Sequence, residues 1–79
     1  MNWDDLRIIA AIRDEGTYAG ASARLRIDET TVARRLARLQ RALGFNLFEA
    51  VDGSRKPTRR CEDVLAHVQA MSRHVADIG

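Results

Sequence analysis

The segment from Asp28 to Gly44 constrains the fold more than any other. Val32, Leu36, Leu39 and Leu43 recur at spacings of four, three and four, which marks one apolar stripe along a helix. Arg34, Arg38 and Arg41 repeat at helical spacing on a different face, with Arg35 beside them. Asp28 is placed to cap this helix and Gly44 to stop it, so the helix is predicted over Glu29–Leu43. Such a helix docks by its leucine side and holds its guanidinium groups away from the core.

The flanking sequence supplies what it docks against. Asn2 reads as an N-cap, and Asp4 and Asp5 suit the positive end of a helix running from about Trp3 to Asp14. Leu6, Ile9 and Ala10 lie on one face of it, Ile8 and Ile12 widen the stripe, and Gly16 ends it. Thr17 caps a short second helix, Tyr18 to about Leu25, whose small residues Ala19, Gly20, Ala21, Ser22 and Ala23 let two helix backbones cross closely. Arg26 and Ile27 form the turn into the third helix.

After Gly44 the period changes to two, at Phe45, Leu47 and later Val51, and Asp52-Gly53 is a strong hairpin-turn signal. The returning limb, Ser54 to Thr58, is an edge strand or a strand end, because Pro57 cannot donate to a ladder. Thr58 caps a last helix whose apolar residues, Cys61, Val64, Val68, Met71, Val75 and Ile78, form a heptad seam with Leu65 adjoining. Cys61, Val64 and Leu65 are assigned to the chain's own core. Val68, Met71, Val75 and Ile78 run beyond it and are predicted to pair with a second copy, making a homodimer.

Composition narrows the function. At 79 residues the chain holds one small domain, and 12 of its apolar residues are alanine, so the core is modest and a partner is expected to matter. One cysteine excludes an internal disulfide, and the longest early apolar stretch, Ile8 to Ile12, is too short for a signal or membrane segment. A cytoplasmic location and no membrane association are expected. No nucleophile–base pair and no ligand cluster is present, so no enzyme activity, cofactor or metal is expected; His67 and His74 read as surface positions beside the seam.

The net charge of +2 hides a segregation. Arg24 to Arg60 hold ten basic residues against four acids, whereas the rest of the chain holds three against seven. Twelve of the thirteen cations are arginine, whose planar fork suits phosphate and guanine. Two helices joined by a tight turn, the second with an arginine face, describe a helix-turn-helix, and the hairpin behind it makes the winged version. The fold expected is therefore mainly α: a three-helix core, a two-stranded wing and a long C-terminal dimerisation or linker helix, with residues 1–58 as the binding domain and 59–79 as the linker. The third helix would enter the major groove of double-stranded DNA, and the basic wing, 52–57, would bring Arg55 and Lys56 to the backbone or the minor groove.

At these residues the chain resembles the N-terminal DNA-binding domain of LysR-type transcriptional regulators. The resemblance begins at Trp3-Asp4-Asp5-Leu6 and continues through Gly16-Thr17-Tyr18 and Ala21-Ser22-Ala23-Arg24-Leu25. Its most specific parts are Thr31-Val32-Ala33-Arg34-Arg35-Leu36-Ala37-Arg38-Leu39 and Leu43-Gly44-Phe45-Asn46-Leu47-Phe48-Glu49. It implies that Glu29, Thr30 and Thr31 face bases with Arg35 behind them, and that Arg34 meets a phosphate. Thr17, Tyr18 and Arg38 are further phosphate candidates. It also implies that the last helix dimerises and leads to an effector-binding domain. The four helices and wing use the whole length, so neither that domain nor a small-molecule effector site is expected in this chain.

Several positions depart from the family pattern. Asp28 and Glu29 stand where the family usually has serine and glutamine, Ala33 where it has serine, Ala50 where arginine is common, and Cys61 where glycine is usual. Asp28 is explained as a cap. Glu29 either accepts a hydrogen bond from cytosine N4 or pairs with a nearby arginine and touches no base. Arg59 and Arg60 oppose the helix dipole, a mismatch that either a phosphate or Glu62 and Asp63 would relieve. The alternative function is a protein-interaction module that reuses the helix-turn-helix and pairs through the C-terminal helix; loss of DNA binding on substitution of Arg34 and Arg38 separates the two.

Overall fold

The computed structural model describes residues 2–78, with side chains described from residue 2 to residue 70. The chain forms α1 (Trp3–Glu15), α2 (Tyr18–Leu25), α3 (Glu29–Leu43), β1 (Phe48–Val51), β2 (Ser54–Pro57) and α4 (Arg59–Ile78). This is the winged helix-turn-helix expected from the sequence, and its boundaries follow from local chemistry. Asn2 and Asp5 make a reciprocal capping box, with the Asp5 amide donating to Asn2 Oδ1 at 2.9 Å. Thr17 Oγ1 accepts from the Gly20 amide, and the Asp28 carboxylate accepts from the Thr30 amide, each at 2.9 Å. Gly16 and Gly44 close α1 and α3 in the left-handed region, at φ 77° and 84°.

Small side chains do permit the close approach of α1 and α2. A Cβ on Gly20 would stand 2.9 Å from Glu15 Cβ, inside any normal contact distance. Ala21 is fully buried in the same helix.

The core gathers Ile8, Ile9, Ala11 and Ile12 of α1, Ala21 of α2, Val32, Leu36 and Leu39 of α3, then Leu47, Phe48, Cys61 and Leu65. The buried face of α1 is therefore rotated from the expected one. Leu6 and Ala10 are only half-buried, at the edge that α1 presents toward α4, while Ile8, Ala11 and Ile12 meet the core. Leu65 and Cys61 are buried as expected, and Val64 is half-buried.

The alternation at Phe45 and Leu47 does not mark a strand. Pairing begins at Phe48, where the antiparallel register sets Phe48 against Pro57, Glu49 against Lys56, Ala50 against Arg55 and Val51 against Ser54. The backbone before it has other partners. The Leu47 amide donates to Gln40 Oε1 at 2.7 Å, and the Leu47 carbonyl accepts from the Thr58 amide at 2.9 Å. Thr58 also donates its hydroxyl to the Asn46 carbonyl at 2.9 Å, and its Oγ accepts from the Cys61 amide at the start of α4. Asp52 and Gly53 both take positive φ, as a two-residue hairpin turn of type I′ requires. Pro57 sits at the strand end, where no ladder donor is needed.

Burial, with the charge of Glu62 adding to it, pushes the Cys61 thiol up from 9.0 to about 11. The unfolded thiol ionises first, so the stability linked to this proton is fully present below about pH 9 and is lost as pH rises toward 11. Denaturant melts across that window should show a larger loss in the natural chain than in Cys61→Ala; equal losses would remove Cys61 as the cause. Among the described residues, no helix is long and apolar enough to cross a membrane.

Candidate nucleic-acid interface

α3 has two sides with opposite characters. Val32, Leu36 and Leu39 are at most 7% exposed, whereas Arg34, Arg38 and Arg41 are exposed. The buried stripe fixes the rotation of the helix, and that rotation sets the three guanidinium groups in solvent. Arg35 is placed differently. It is half-buried on the flank toward the start of α1, between a shallow cleft with Asp4, Arg7 and Ile8 and another with Asn2, Asp5 and Arg38.

The first turn of α3 presents Glu29 and Thr30 exposed and Thr31 half-buried. Asp28 is occupied as the cap. The ion pairs among the described residues join Arg7 to Asp4, Arg13 and Arg24 to Asp14, and Arg24 to Glu15; Glu29 takes part in none of them. Arg24 is thereby drawn off the basic segment: its Nη1 lies 2.9 Å from Asp14 and 3.7 Å from Glu15. Hydrogen bonds from Arg24 and then Arg13 hold the Asp14 carboxyl below the usual carboxylate range.

Thr17 and Tyr18 open α2. Thr17 is exposed and its Oγ accepts from Gly20, leaving its hydroxyl proton to donate outward. The Tyr18 ring is half-buried beneath Arg55, whose guanidinium carbon stands 4.4 Å from the ring centroid. The Arg55 amide donates to the Gly16 carbonyl at 2.7 Å, which ties β2 to the α1–α2 turn. The wing is less basic at its tip than its two cations suggest. The turn itself carries Asp52, and Lys56, the exposed cation, lies across the ladder from Glu49.

Two contacts had no signal in the sequence. Arg55 on Tyr18 and Arg60 on Phe45, the latter at 4.9 Å, join residues of different elements with no spacing rule between them. Arg60 packs on a ring face, where the sequence suggested a phosphate or nearby acids, and it forms no ion pair with Glu62 or Asp63 among the described residues. Each stack contributes about 0.5–1 kcal/mol at sites this exposed.

Away from the arginine row, α1 and α4 leave an open, largely apolar groove lined by Trp3, Leu6, Ala10, Leu65 and Val68, with Arg7, Arg13 and Gln69 also contributing to its walls. Trp3 is 66% exposed, unusual for the largest apolar side chain in the molecule. Met71, Val75, Ile78 and His74 have side chains outside the described residues.

The model for "Bacterial regulatory helix-turn-helix protein, lysR family" matches residues 3–62. The Mau operon transcriptional activator of Paracoccus denitrificans is 51% identical over 73 residues, which is 92% of this chain and 26% of that protein. The probable HTH-type transcriptional regulator LrrA of Synechococcus elongatus is 34% identical over 71 residues, covering 90% of this chain and 24% of its own. Among solved structures, the BenM DNA-binding domain in complex with benA site 1 DNA superposes with a TM-score of 0.84 at 22% identity, over 99% of this chain and 91% of that one. That last likeness concerns the fold. The chain spans about a quarter of the length of the curated relatives it matches.

Proposed function

The chain belongs to the lysR family of bacterial regulatory helix-turn-helix proteins and is a DNA-binding domain of that type, and on this premise we propose how it holds DNA. α3 lies in the major groove with Glu29, Thr30 and Thr31 toward base edges and Arg35 reaching in from the flank. Arg34 and Arg38 meet phosphates on the groove walls, Thr17 and Tyr18 meet another at the start of α2, and Lys56 brings the wing to the backbone. The observation that carries this reading is the exposed arginine row on α3, set opposite its buried stripe. Regulation of transcription, the activity in the relatives' names, would be its task in the cytoplasm, at the nucleoid; no catalytic step is assigned to it.

Selection of duplexes from a random pool, followed by a salt series, tests this directly. The expected result is an interrupted palindrome, with half-sites about one or more helical turns apart. The logarithm of affinity should fall with that of salt at a slope of about −0.9 per phosphate contact, and a slope below about two contacts would sink the proposal.

Glu29 is exposed and takes part in no ion pair among the described residues, which supports the base-facing alternative over pairing with an arginine. A carboxylate accepts from cytosine N4 and repels groups that offer only acceptors. Glu29→Gln should shift the preferred base at one position of each half-site toward adenine, with a change of about 1–3 kcal/mol in discrimination. An unchanged consensus from the selected pool would assign Glu29 to the surface.

Two-fold pairing through α4 completes the proposal. Val68 lines the groove beside α1, and Met71, Val75 and Ile78 continue its heptad seam, so a second copy's α4 is the occupant that fits an apolar groove with an exposed tryptophan at its rim. Val68→Asp would bury a charge in that seam. Sedimentation equilibrium should show the dimer weakened by about tenfold or more, on the scale of a central interface residue; an unaltered dimer would place the pairing elsewhere.

A further inference from the structure

Arg55 occupies a position that its charge alone does not explain. Its amide is fixed to the carbonyl of Gly16, the left-handed residue that turns α1 into α2, and its guanidinium carbon stands 4.4 Å from the centroid of the Tyr18 ring, two residues further on. Across the ladder it faces Ala50, which has no group to hold it, and it joins no ion pair among the described residues. The ring face is the partner the structure records for this cation, and the wing meets the helix-turn-helix through it.

We propose that Arg55 is a positioning residue: it clamps the Tyr18 ring so that the phenolic hydroxyl and the first turn of α2 address one phosphate, and it does not itself neutralise a phosphate. This rests on the reading of Thr17 and Tyr18 as backbone contacts. Without the clamp, the half-buried ring can rotate about its side-chain torsions and the hydroxyl loses its fixed direction. The amide of Arg55 keeps β2 in place whatever the side chain, so the effect belongs to the guanidinium. Wing and α2 then act as one unit, and of the wing's two cations Lys56 is the one free to approach DNA.

Fluorescence anisotropy of the 79-residue chain on a mixed-sequence duplex, over a salt series, tests this with a double-mutant cycle. Arg55→Leu should weaken binding about fivefold at fixed salt, the scale of a lost cation–π contact, and leave the salt slope unchanged. Tyr18→Phe, which keeps the ring and removes the hydroxyl, should weaken binding by about tenfold, the scale of a hydrogen bond to a charged group. Adding Arg55→Leu to Tyr18→Phe should then cost less than about twofold more, as coupled residues require. Arg55→Lys should recover only part of the loss, because an ammonium lacks the planar group that stacks.

Losses that simply multiply, or a slope that becomes shallower by about 0.9 in Arg55→Leu, would overturn the proposal by showing that Arg55 touches a phosphate itself. A natural chain that leaves the duplex unbound at low salt overturns both the DNA-holding reading and this inference. Binding by the natural chain with a changed Arg55→Leu slope overturns the inference alone. Circular dichroism checks each variant, and Arg55→Gln carries the same expectations if Arg55→Leu does not fold.

Discussion

Alanine in place of both Arg34 and Arg38 is expected to weaken DNA binding by about a hundredfold or more, since a hydrogen bond to a charged group contributes about 1.5–3 kcal/mol and two are lost. The salt slope should become shallower by about 1.8, the signature of two phosphates no longer neutralised. Both side chains are exposed and pair with no acid among the described residues, so the fold has little to lose. Surface changes of this kind stay within about 0.5 kcal/mol of stability. Isothermal titration beside thermal melting separates the two quantities. A loss below about threefold, with the slope intact, would mean that the arginine row faces something other than a nucleic-acid backbone. Lost capture of a protein partner with DNA binding unchanged would favour the interaction-module alternative.

The second large effect concerns stability. Leu36 is 2% exposed between Val32 and Leu39, at the middle of the stripe that docks α3. Leu36→Ala should cost about 2–5 kcal/mol, the transfer term plus the cavity left behind. A domain of this size has roughly 4–12 kcal/mol in total, so the variant stands near its unfolding threshold. Its melting temperature should fall by roughly 8–40 °C, at about 4–8 °C per kcal/mol for small domains. Saturating DNA should restore part of that, because a ligand that binds only the folded chain shifts the equilibrium by mass action. A melting point within about 3 °C of the natural chain would contradict the docking of α3 described above.

Much of the fold was legible because its signals are local. Asn2, Thr17, Asp28 and Thr58 each bond an amide two or three residues on, and Gly16 and Gly44 each close a helix at their own position. The expectations that failed were those in which local pattern admits two answers. In α1, Leu6, Ile8, Ile9, Ala10, Ala11 and Ile12 are apolar on several sides, so period alone cannot say which side is covered. The core took Ile8, Ile9, Ala11 and Ile12. Phe45 and Leu47 alternate as a strand would, but Gln40 and Thr58 bond the backbone at Asn46 and Leu47 before a ladder can.

The same division runs through the candidate interface. The order of residues alone dictated that α3 would carry an apolar stripe and an arginine row on separate faces, because a helix repeats every 3.6 residues whatever surrounds it. It also determined that cations would gather between Arg24 and Arg60. Which of them stand free depends on how the elements pack. Asp14 holds Arg24, the ring of Tyr18 holds Arg55 and that of Phe45 holds Arg60, while Arg35 turns to the flank of α1. Arg26, Arg34, Arg38, Arg41, Lys56 and Arg59 are left in solvent. The period of an element is written in consecutive residues, but a cation's partner across elements depends on how the helices and the wing cross, and that is settled only when the core closes.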